Sequence, residues 1–482
     1  MENNIRRKNE GRQIKIVFFL LGLLIYLPSY AMVNVSFLIN DIYKESMCVT
    51  IMGIYGVCMA ISSVFQLILE LTSFKLIIGC NICKTVAILF FTLYLCLLKS
   101  SKYYLYFISG ILGLLSGYLY SACTKYSLLL LENVNGYLIT GVSFCGFFFF
   151  FANLPFSYFT IKAGDVNTYY KAIGYSLSFF IVLEILIILY IIYVQMTSFY
   201  FNEEKKRIEN SFYSDSNNIL KNKELETEYK YVKKCSGSIN ETHIDVNEIV
   251  SPANVDIKSV ADSGIYKNNN NDYNHINTHY NILNKTNKNR NTNLKEKLVY
   301  IKNKLNFNSI TLGIKLIKYY YICCTPICFT VFITYLVYPH LIPNMLKKTE
   351  FEKYFYIFLY QLSNLIFSML MTFLLKQMQF LKQPYVFIMS FLRLLLIWIC
   401  YSIINTVQTN FIYSNVFVSF VVVLIGSTNS IIRSLSFARI RECFENNDKR
   451  DHYVSVASSF CALLYLFSYA LSSWFVPIIL SL

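Results

Sequence analysis

The sequence is poor in the residues with which enzymes build catalytic sites. It contains only five histidines in 482 residues, and all five lie in loops or at the edges of apolar segments. Neither a phosphate-binding P-loop nor an HExxH or G-x-S-x-G motif occurs. The apolar segments also hold no convergent set of histidine, aspartate and cysteine, which a membrane-embedded enzyme would need. We therefore predict that the protein is not an enzyme and uses no cofactor.

Regular cysteine spacing is also missing, although the chain has fourteen cysteines. All except Cys235 and Cys443 lie in or near apolar segments, where cysteine acts as a small core residue. The closely spaced Cys323, Cys324 and Cys328 have no second ligand pair at the spacing of a zinc site. The pattern predicts neither a disulfide framework nor a metal site.

Positive charge is present but not concentrated. The formal net charge is +15, yet lysine and arginine lie in connecting loops and not along one amphipathic face interleaved with aromatics. Nucleic acid is therefore not a predicted partner. The basic residues near the N-terminus precede an apolar run that is too long for a secretory signal, and no small-residue cleavage site follows it. We expect the first apolar segment to be a retained anchor.

Long apolar segments dominate the rest of the sequence, which is 55% hydrophobic and 17% aromatic. A continuous apolar run of about 20 residues is long enough to cross the hydrocarbon core of a bilayer as a helix. The runs lack the ten-residue alternation of barrel strands. We predict an all-α polytopic membrane protein with eleven transmembrane helices and the bilayer as a partner. The predicted spans are Ile16–Leu38, Met47–Leu69, Leu76–Leu98, Tyr104–Leu131, Tyr137–Ile161, Ala172–Val194, Tyr319–Pro339, Phe355–Leu375, Tyr385–Ile404, Phe411–Phe437 and Val454–Leu482.

One long polar segment divides the chain. We predict a cytosolic tail at 1–15, a six-helix half at 16–196, a cytosolic loop at 197–311 and a five-helix half at 312–482. The loop is rich in asparagine and lysine and poor in core-forming residues, so we expect it to be largely disordered. The distribution of basic residues favours a cytosolic N-terminus and an outside or luminal C-terminus. The sequence indicates neither a particular membrane, plasma or internal, nor a protein partner.

The two ends of this loop carry stretches that mix basic and apolar residues. They are Lys205–Ile208 and Leu294–Leu305. Each can lie on the bilayer surface as an amphipathic segment or form part of a solvated tether.

Ionisable side chains inside apolar spans are costly and usually face a cavity or another polar group. Lys125 is expected near the cytosolic boundary, where its long side chain reaches water. Arg393 precedes the apolar run Leu394–Ile399, and Arg433 lies within a span, so packing explains them less well. We treat both arginines as candidates for function, with the cytosolic interface as the alternative for Arg433. The complete set is Glu70, Lys84, Lys125, Glu132, Glu184, Arg393 and Arg433.

Small and polar residues cluster in the first, fourth and fifth spans. Such residues allow helices to approach closely, or they line a polar path across the membrane. Both interpretations stay open, and Pro28 and Pro339 are the expected positions of helix irregularities. The clusters contain Pro28, Ser29, Tyr30 and Asn34; Ser116, Gly117 and Ser121; and Thr140, Gly141, Ser143 and Gly146.

Short motifs recur in order along nearly the whole chain. They are Leu27 to Asn34 followed by Asp41-Ile42-Tyr43, Gly113 to Tyr120, Thr140 to Gly146, Phe332 to Pro339, Leu392 to Leu395, and Gly426 to Ser430. Together they resemble the first-, fourth-, fifth-, seventh-, ninth- and tenth-span motifs of the equilibrative nucleoside transporter family. That family also has eleven spans and a long cytosolic loop after the sixth.

The chain departs from this family at residues that the family uses for substrate. Ser29-Tyr30 stands where the family has Trp-Asn, and Ser116 stands at the glutamine of the fourth span. The eighth-span Asp-x-x-Gly-Arg motif aligns with Tyr360 to Asn364, which lacks both charged residues. Arg393 and Arg433 can supply charge from other helices, which suits a substrate of different charge or shape.

The resemblance implies a major-facilitator-like fold that carries nucleosides or nucleobases by alternating access and facilitated diffusion. The small-molecule substrate would pass between the first six and last five spans, with Arg433 as a possible charge contributor. The residues that we assign to its path are Pro28, Ser29, Met32, Val33, Ser116, Gly117, Gly141, Tyr335, Tyr360, Gln361, Asn364, Arg393 and Asn429.

Two other functions stay open. A major-facilitator-type carrier of another metabolite would have twelve spans and both termini in the cytosol. A non-transporting membrane scaffold or receptor would use the long loop to recruit partners.

Overall fold

The computed structural model describes eleven main stretches and one single residue of the chain. These are residues 2–43, 47–69, 73–98, 102–130, 134–163, 166–208, 308–337, 350–375, 377, 383–405, 410–444 and 450–481. Helices account for nearly all of these residues, and no strand occurs among them. Most of the predicted loop, including Leu294–Leu305, lies outside the described residues, as do Glu70, Glu132 and Pro339.

The connections between successive main helices are short, except for the long segment between the sixth and the seventh. In chain order they are α1 Glu2–Tyr43, α2 Met47–Leu69, α3 Phe74–Leu98, α4 Lys102–Leu129, α5 Asn135–Ala163, α6 Val166–Thr197, α7 Asn308–Leu336, α8 Glu350–Leu374, α9 Gln383–Leu392, α10 Leu394–Asn405, α11 Asn415–Ile440 and α12 Arg450–Ser481. Residues 199–208 are also helical, and 3₁₀ turns lie at Phe411–Tyr413 and Glu442–Phe444.

Within the described residues, eleven helical segments are long and apolar enough to cross a membrane. Helices α9 and α10 together form one of them, Pro384–Ile403, and each of the others corresponds to one helix. The predictions of an all-helical fold and of eleven candidate spans are therefore confirmed.

The distribution of side chains also fits a bilayer. Large apolar residues face outward, as shown by exposed fractions of 69% for Trp398 and 76% for Val416. Polar Ser121, Ser143 and Ser430 are completely buried. A water-soluble protein would keep such an apolar surface inside, so this arrangement is that of a multi-pass membrane protein.

Some helix boundaries differ from the predicted spans. Helix α1 includes the basic tail, and α7 begins at Asn308, well before the predicted start at Tyr319. Lys315 and Lys318 lie at exposed positions of α7, where charged side chains do not interrupt a helix. The predictions followed apolar continuity, which shows where a helix can cross the membrane but not how far it extends.

Glycines set the closest helix contacts. A Cβ atom added to Gly141 of α5 would overlap the carbonyl oxygen of Phe19 in α1, and one added to Gly22 of α1 would overlap a carbonyl oxygen of α5. Gly117 of α4 lies in the same way against the backbone of Met59 in α2. Packing of α1 on α5 and of α2 on α4 thus depends on the absence of these side chains.

Residues 199–208 belong to the packed part of the protein. Ser198 caps the N-terminus of this helix, since its Oγ accepts from Phe201 N–H at 3.3 Å and donates to Glu10 Oε2 at 2.9 Å. Lys205 and Ile208 are buried. The alternative that Lys205–Ile208 forms a solvated tether is therefore wrong, because Lys205 and Ile208 pack against the rest of the protein, whereas its position at the bilayer surface stays a prediction.

Lys125 differs from expectation as well. Its side chain is buried near the end of α4, where Arg207 donates a hydrogen bond to the Leu129 carbonyl. The prediction that Lys125 reaches water is wrong, because its part of α4 is enclosed by other elements.

Candidate functional site

A buried polar cluster joins the middle of α8 to the middle of α11. Asn364 Oδ1 accepts hydrogen bonds from Asn429 Nδ2 at 3.1 Å and from Ser430 Oγ at 2.6 Å. Gly426 allows this approach, since a Cβ atom there would overlap Ser363 Oγ. Asn364 and Asn429, which the sequence analysis assigned to the substrate path, are therefore in direct contact.

Arg393 extends the cluster to a third helix. Its Nη2 donates to Thr334 Oγ1 of α7 at 2.8 Å and to the Ile425 carbonyl of α11 at 3.3 Å. Thr334 Oγ1 in turn lies 3.2 Å from Asn429 Oδ1. A continuous chain of polar contacts thus runs from Arg393 through Thr334 and Asn429 to Asn364.

The local structure explains why Arg393 points inward. The residue lies at the midpoint of the span Pro384–Ile403, between the end of α9 and the start of α10. Its neighbours Leu392, Leu394 and Leu395 are exposed, whereas Arg393 is only 2% exposed. Helix α9 packs against α7 and α11, so Arg393 faces the interior and its three leucine neighbours face outward.

Some N–H groups of the Arg393 guanidinium donate to no acceptor within the described part of the chain. Its Nε and Nη1 have no hydrogen-bond partner among the described residues. No carboxylate among those residues forms an ion pair with it either. The cation is therefore held by one hydroxyl and one carbonyl, both neutral.

Arg433 lies one helical turn after Asn429 on α11 and is 3% exposed. Its Nη2 donates to Ser143 Oγ of α5 at 3.0 Å, while its Nε has no partner among the described residues. The alternative that Arg433 reaches the cytosolic interface is wrong, because α5 and the aromatic residues around it enclose the side chain.

Tyrosines surround Arg433. Tyr465, Tyr120 and Tyr335 lie near its guanidinium, and Tyr465 is within hydrogen-bonding reach of it. Tyr120 and Tyr465 stack with ring centroids 4.8 Å apart. Tyr360 of α8 lies near both Arg393 and Arg433.

Gln361 contributes an acceptor to this region. Its side chain lies against Gly146 of α5, where a Cβ atom would overlap the amide and crowd the ring of Tyr30. Gln361 Oε1 is buried and has no hydrogen-bond partner among the described residues. The cluster therefore offers unpaired donors on its arginines and an unpaired acceptor on Gln361.

The polar residues of the fifth span serve different purposes. Thr140 Oγ1 lies 2.9 Å from Thr372 Oγ1 and links α5 to α8, whereas Gly141 permits contact with α1. Ser143 accepts from Arg433, and Gly146 makes room for Gln361. The two interpretations of this motif, helix packing and a polar path, therefore apply to different residues within it.

Other residues assigned to the path lie away from these contacts. Ser29, Met32 and Ser116 are buried in α1 and α4, and no hydrogen bond in the described part of the chain connects them to the cluster. Gly117 and Gly141 lie in helix contacts, and the side chain of Val33 lies outside the described residues. Thr334 and Ser430 are the members of the cluster that the predicted path did not include.

Pro28 belongs to a second buried network. Proline has no N–H to donate to the carbonyl four residues earlier in its helix, which here is that of Leu24. Lys84 Nζ of α3 donates a hydrogen bond to this carbonyl. Lys84 also forms an ion pair of 3.0 Å with Glu184 of α6 and donates to Asn81 Oδ1 at 3.1 Å. The lysine thus ties α1, α3 and α6 together at Pro28.

A third set of contacts lies at one end of the bundle. Arg207 forms an ion pair of 3.2 Å with Asp451 at the start of α12 and donates to the Leu129 carbonyl at the end of α4. Arg441, after α11, donates to the Leu130 carbonyl at 3.0 Å. These bonds connect segments from distant parts of the chain.

The cysteines lie mostly inside helix contacts. Cys323 and Cys443 are not joined by a disulfide, and their sulfur atoms lie 3.7 Å apart. Among the described residues, no group of three His, Cys, Asp or Glu side chains is placed to hold a metal ion.

The chain was also compared with known proteins. No family model matches it, and no curated protein matches it.

Proposed function

We propose that the protein is a membrane transporter that moves nucleosides or nucleobases by alternating access and facilitated diffusion. The observation that carries this proposal is the buried polar cluster around Asn364, Asn429 and Arg393, close to the middle of their spans. Polar groups within the hydrocarbon region of a bilayer are energetically costly unless they pair with one another or bind a substrate. Transporters commonly bind substrate at such a position, beside interrupted helices.

The chemistry of the cluster supports a heterocyclic substrate. Asn364, Asn429 and Gln361 carry amides, which can both donate to and accept from a base or a sugar. Tyr335 and Tyr360 offer aromatic faces near the same groups. The motif resemblance to the equilibrative nucleoside transporters supports the same substrate class.

Alternating access requires contacts that break when the protein changes state. The bonds from Arg207 to Asp451 and Leu129, and from Arg441 to Leu130, join distant segments at one end of the bundle. We assign them the role of holding that end closed. Facilitated diffusion is preferred to proton coupling, since no carboxylate among the described residues contacts Arg393 or Arg433.

Uptake by the purified, full-length protein in proteoliposomes tests the proposal. We expect uptake of labelled purine or pyrimidine nucleosides or bases, saturable and without a requirement for a proton gradient. Ser430→Ala removes a hydroxyl from the cluster and should lower uptake about threefold to tenfold, the effect of one buried hydrogen bond. Ser458→Ala is the matched control, because the buried Ser458 hydroxyl bonds to the Ser455 carbonyl of its own helix and its removal should leave transport normal.

Other outcomes would separate the alternatives. Uptake of an unrelated metabolite with none of these solutes would favour a major-facilitator-type carrier. Absence of any uptake, together with loss of cellular function on deletion of residues 217–291, would favour a scaffold. Either result would overturn the proposal.

A further inference from the structure

Two of the buried cations in this protein lack a counter-charge among the described residues. Arg393 and Arg433 are each more than nine-tenths buried, and neither forms an ion pair there. Lys84 is equally buried but is paired with Glu184. An uncompensated buried charge is strongly destabilising, so the contrast between Lys84 and the two arginines calls for an explanation.

The two arginines border the same region. Tyr360 lies near both guanidinium groups. Arg393 is linked through Thr334 to Asn429, which precedes Arg433 by four residues and therefore lies about 6 Å from it along α11. Arg393 Nε and Nη1 and Arg433 Nε have no hydrogen-bond partner among the described residues. Unused donors of both cations thus lie around one polar cluster.

We propose that the transported solute carries an anionic group, a carboxylate or a phosphate, that binds between Arg393 and Arg433. The inference rests on the proposed transport function and specifies its substrate class. A guanidinium is the side chain best suited to carboxylate and phosphate, because it is always charged and presents several planar donors. The neighbouring acceptor Gln361 Oε1 suits a ring N–H or a hydroxyl on the same solute. The substrate is therefore a heterocycle with an acidic substituent.

Matched pairs of neutral and charged probes test this assignment on full-length protein in detergent and in proteoliposomes. Uracil is compared with orotate, which adds a carboxylate, and uridine with uridine 5′-monophosphate, which adds a phosphate. We expect the charged member of at least one pair to bind at least tenfold more tightly and to raise the unfolding temperature at concentrations where the neutral member does not. The pair that shows the preference identifies the acidic group.

Variants then assign the preference to the two arginines. Arg393→Gln and Arg433→Gln should each lower affinity for the charged probe at least tenfold and change affinity for the neutral probe less than threefold. Arg393→Lys and Arg433→Lys keep the charge, so they should retain the preference at weaker affinity. The matched control is Arg12→Gln, the same chemical change at an exposed position of α1, which should bind like the wild type.

The wild-type comparison decides the proposal even where a variant fails to fold. Equal or tighter binding of both neutral probes, with normal uptake of uridine or uracil, would overturn the anionic subsite and leave the proposed function standing. Failure to transport any of the four probes or other nucleosides and bases would overturn the proposed function itself. Loss of the charged-probe preference in Arg12→Gln would also contradict the assignment to the buried arginines.

Discussion

Substitution of Lys84 by methionine removes three buried polar contacts at once. Lys84 Nζ lies 3.0 Å from Glu184 Oε1 and 3.1 Å from Asn81 Oδ1, and it donates to the Leu24 carbonyl. That carbonyl cannot receive the usual helical hydrogen bond, because the residue four positions later is Pro28. We therefore expect Lys84 to have two separable tasks, pairing with Glu184 and replacing the donor that Pro28 lacks.

The magnitudes of the two tasks differ. Breaking a buried ion pair by removing one partner costs about 3–5 kcal/mol, which is the loss that we expect for Lys84→Met. In the Lys84→Met background, the second substitution Glu184→Gln removes the unpaired carboxylate. The main remaining defect is then the unsatisfied Leu24 carbonyl, which should lower the free energy of unfolding by about 1–3 kcal/mol. Pro28→Ala on this double background restores an N–H to the helix and should recover that loss.

A mutant cycle separates this recovery from the general benefit of removing a proline. Replacement of proline inside a helix by alanine can itself stabilise by about 3 kcal/mol. We therefore expect Pro28→Ala to stabilise the double variant by about 1–3 kcal/mol more than it stabilises the wild type, in which Lys84 already serves the carbonyl.

Unfolding in mixed micelles, followed by tryptophan fluorescence or circular dichroism, measures these differences. Lys315→Met on the exposed side of α7 is the control for loss of a lysine and should leave the unfolding free energy nearly unchanged. If Pro28→Ala has the same effect in both backgrounds within about 0.5 kcal/mol, Lys84 does not act through the Leu24 carbonyl and the reasoning is refuted.

Three further substitutions test other contacts. Gly141→Ala should lower the unfolding temperature, because the added Cβ would overlap α1. Gly53 has open space around it, so Gly53→Ala should not lower the unfolding temperature. Equal effects of the two substitutions would contradict the close approach of α5 to α1. Thr334→Val should lower uptake about tenfold by removing a hydrogen bond to a charged group, whereas Thr197→Val, whose hydroxyl bonds within its own helix, should transport normally. Arg207→Ala should change the uptake rate by no more than about fivefold, since the ion pair of Arg207 with Asp451 is partly exposed. Labelling of cysteines introduced at this end of the bundle should increase in the variant. Unchanged labelling would contradict the role of Arg207 in holding that end closed.

The positions of the spans were predictable because continuous apolar length is a local property of the sequence. Helix α2, Met47–Leu69, has the same limits as its predicted span. The interruption at Arg393 was not predicted, since the other residues from Phe391 to Trp398 are all apolar and include neither proline nor glycine. Its cause is tertiary: the guanidinium bonds to partners on two other helices.

Candidate site residues were predictable when their residue type is unusual in a span. Arg393 stood out for this reason, whereas Asn364 and Asn429 were assigned through the motif resemblance, and the structure connects the three residues. Thr334 completes the connection, but a single threonine in an apolar span has an ordinary packing explanation. Lys84 and Glu184 were both identified as ionisable residues within spans, yet their pairing depends on the contact of α3 with α6, which no local pattern encodes.

The two buried charge systems differ in how easily their partners can be exchanged. Lys84 is held by a full negative charge on Glu184, so a solute would have to displace a buried ion pair, which is unfavourable. Arg393 and Arg433 donate to the neutral groups of Thr334, Ile425 and Ser143, so an anion that binds them displaces no opposing charge. Under the proposed function, an anionic solute can therefore replace these partners and leave again, whereas the network at Lys84 is suited to holding α1 in place.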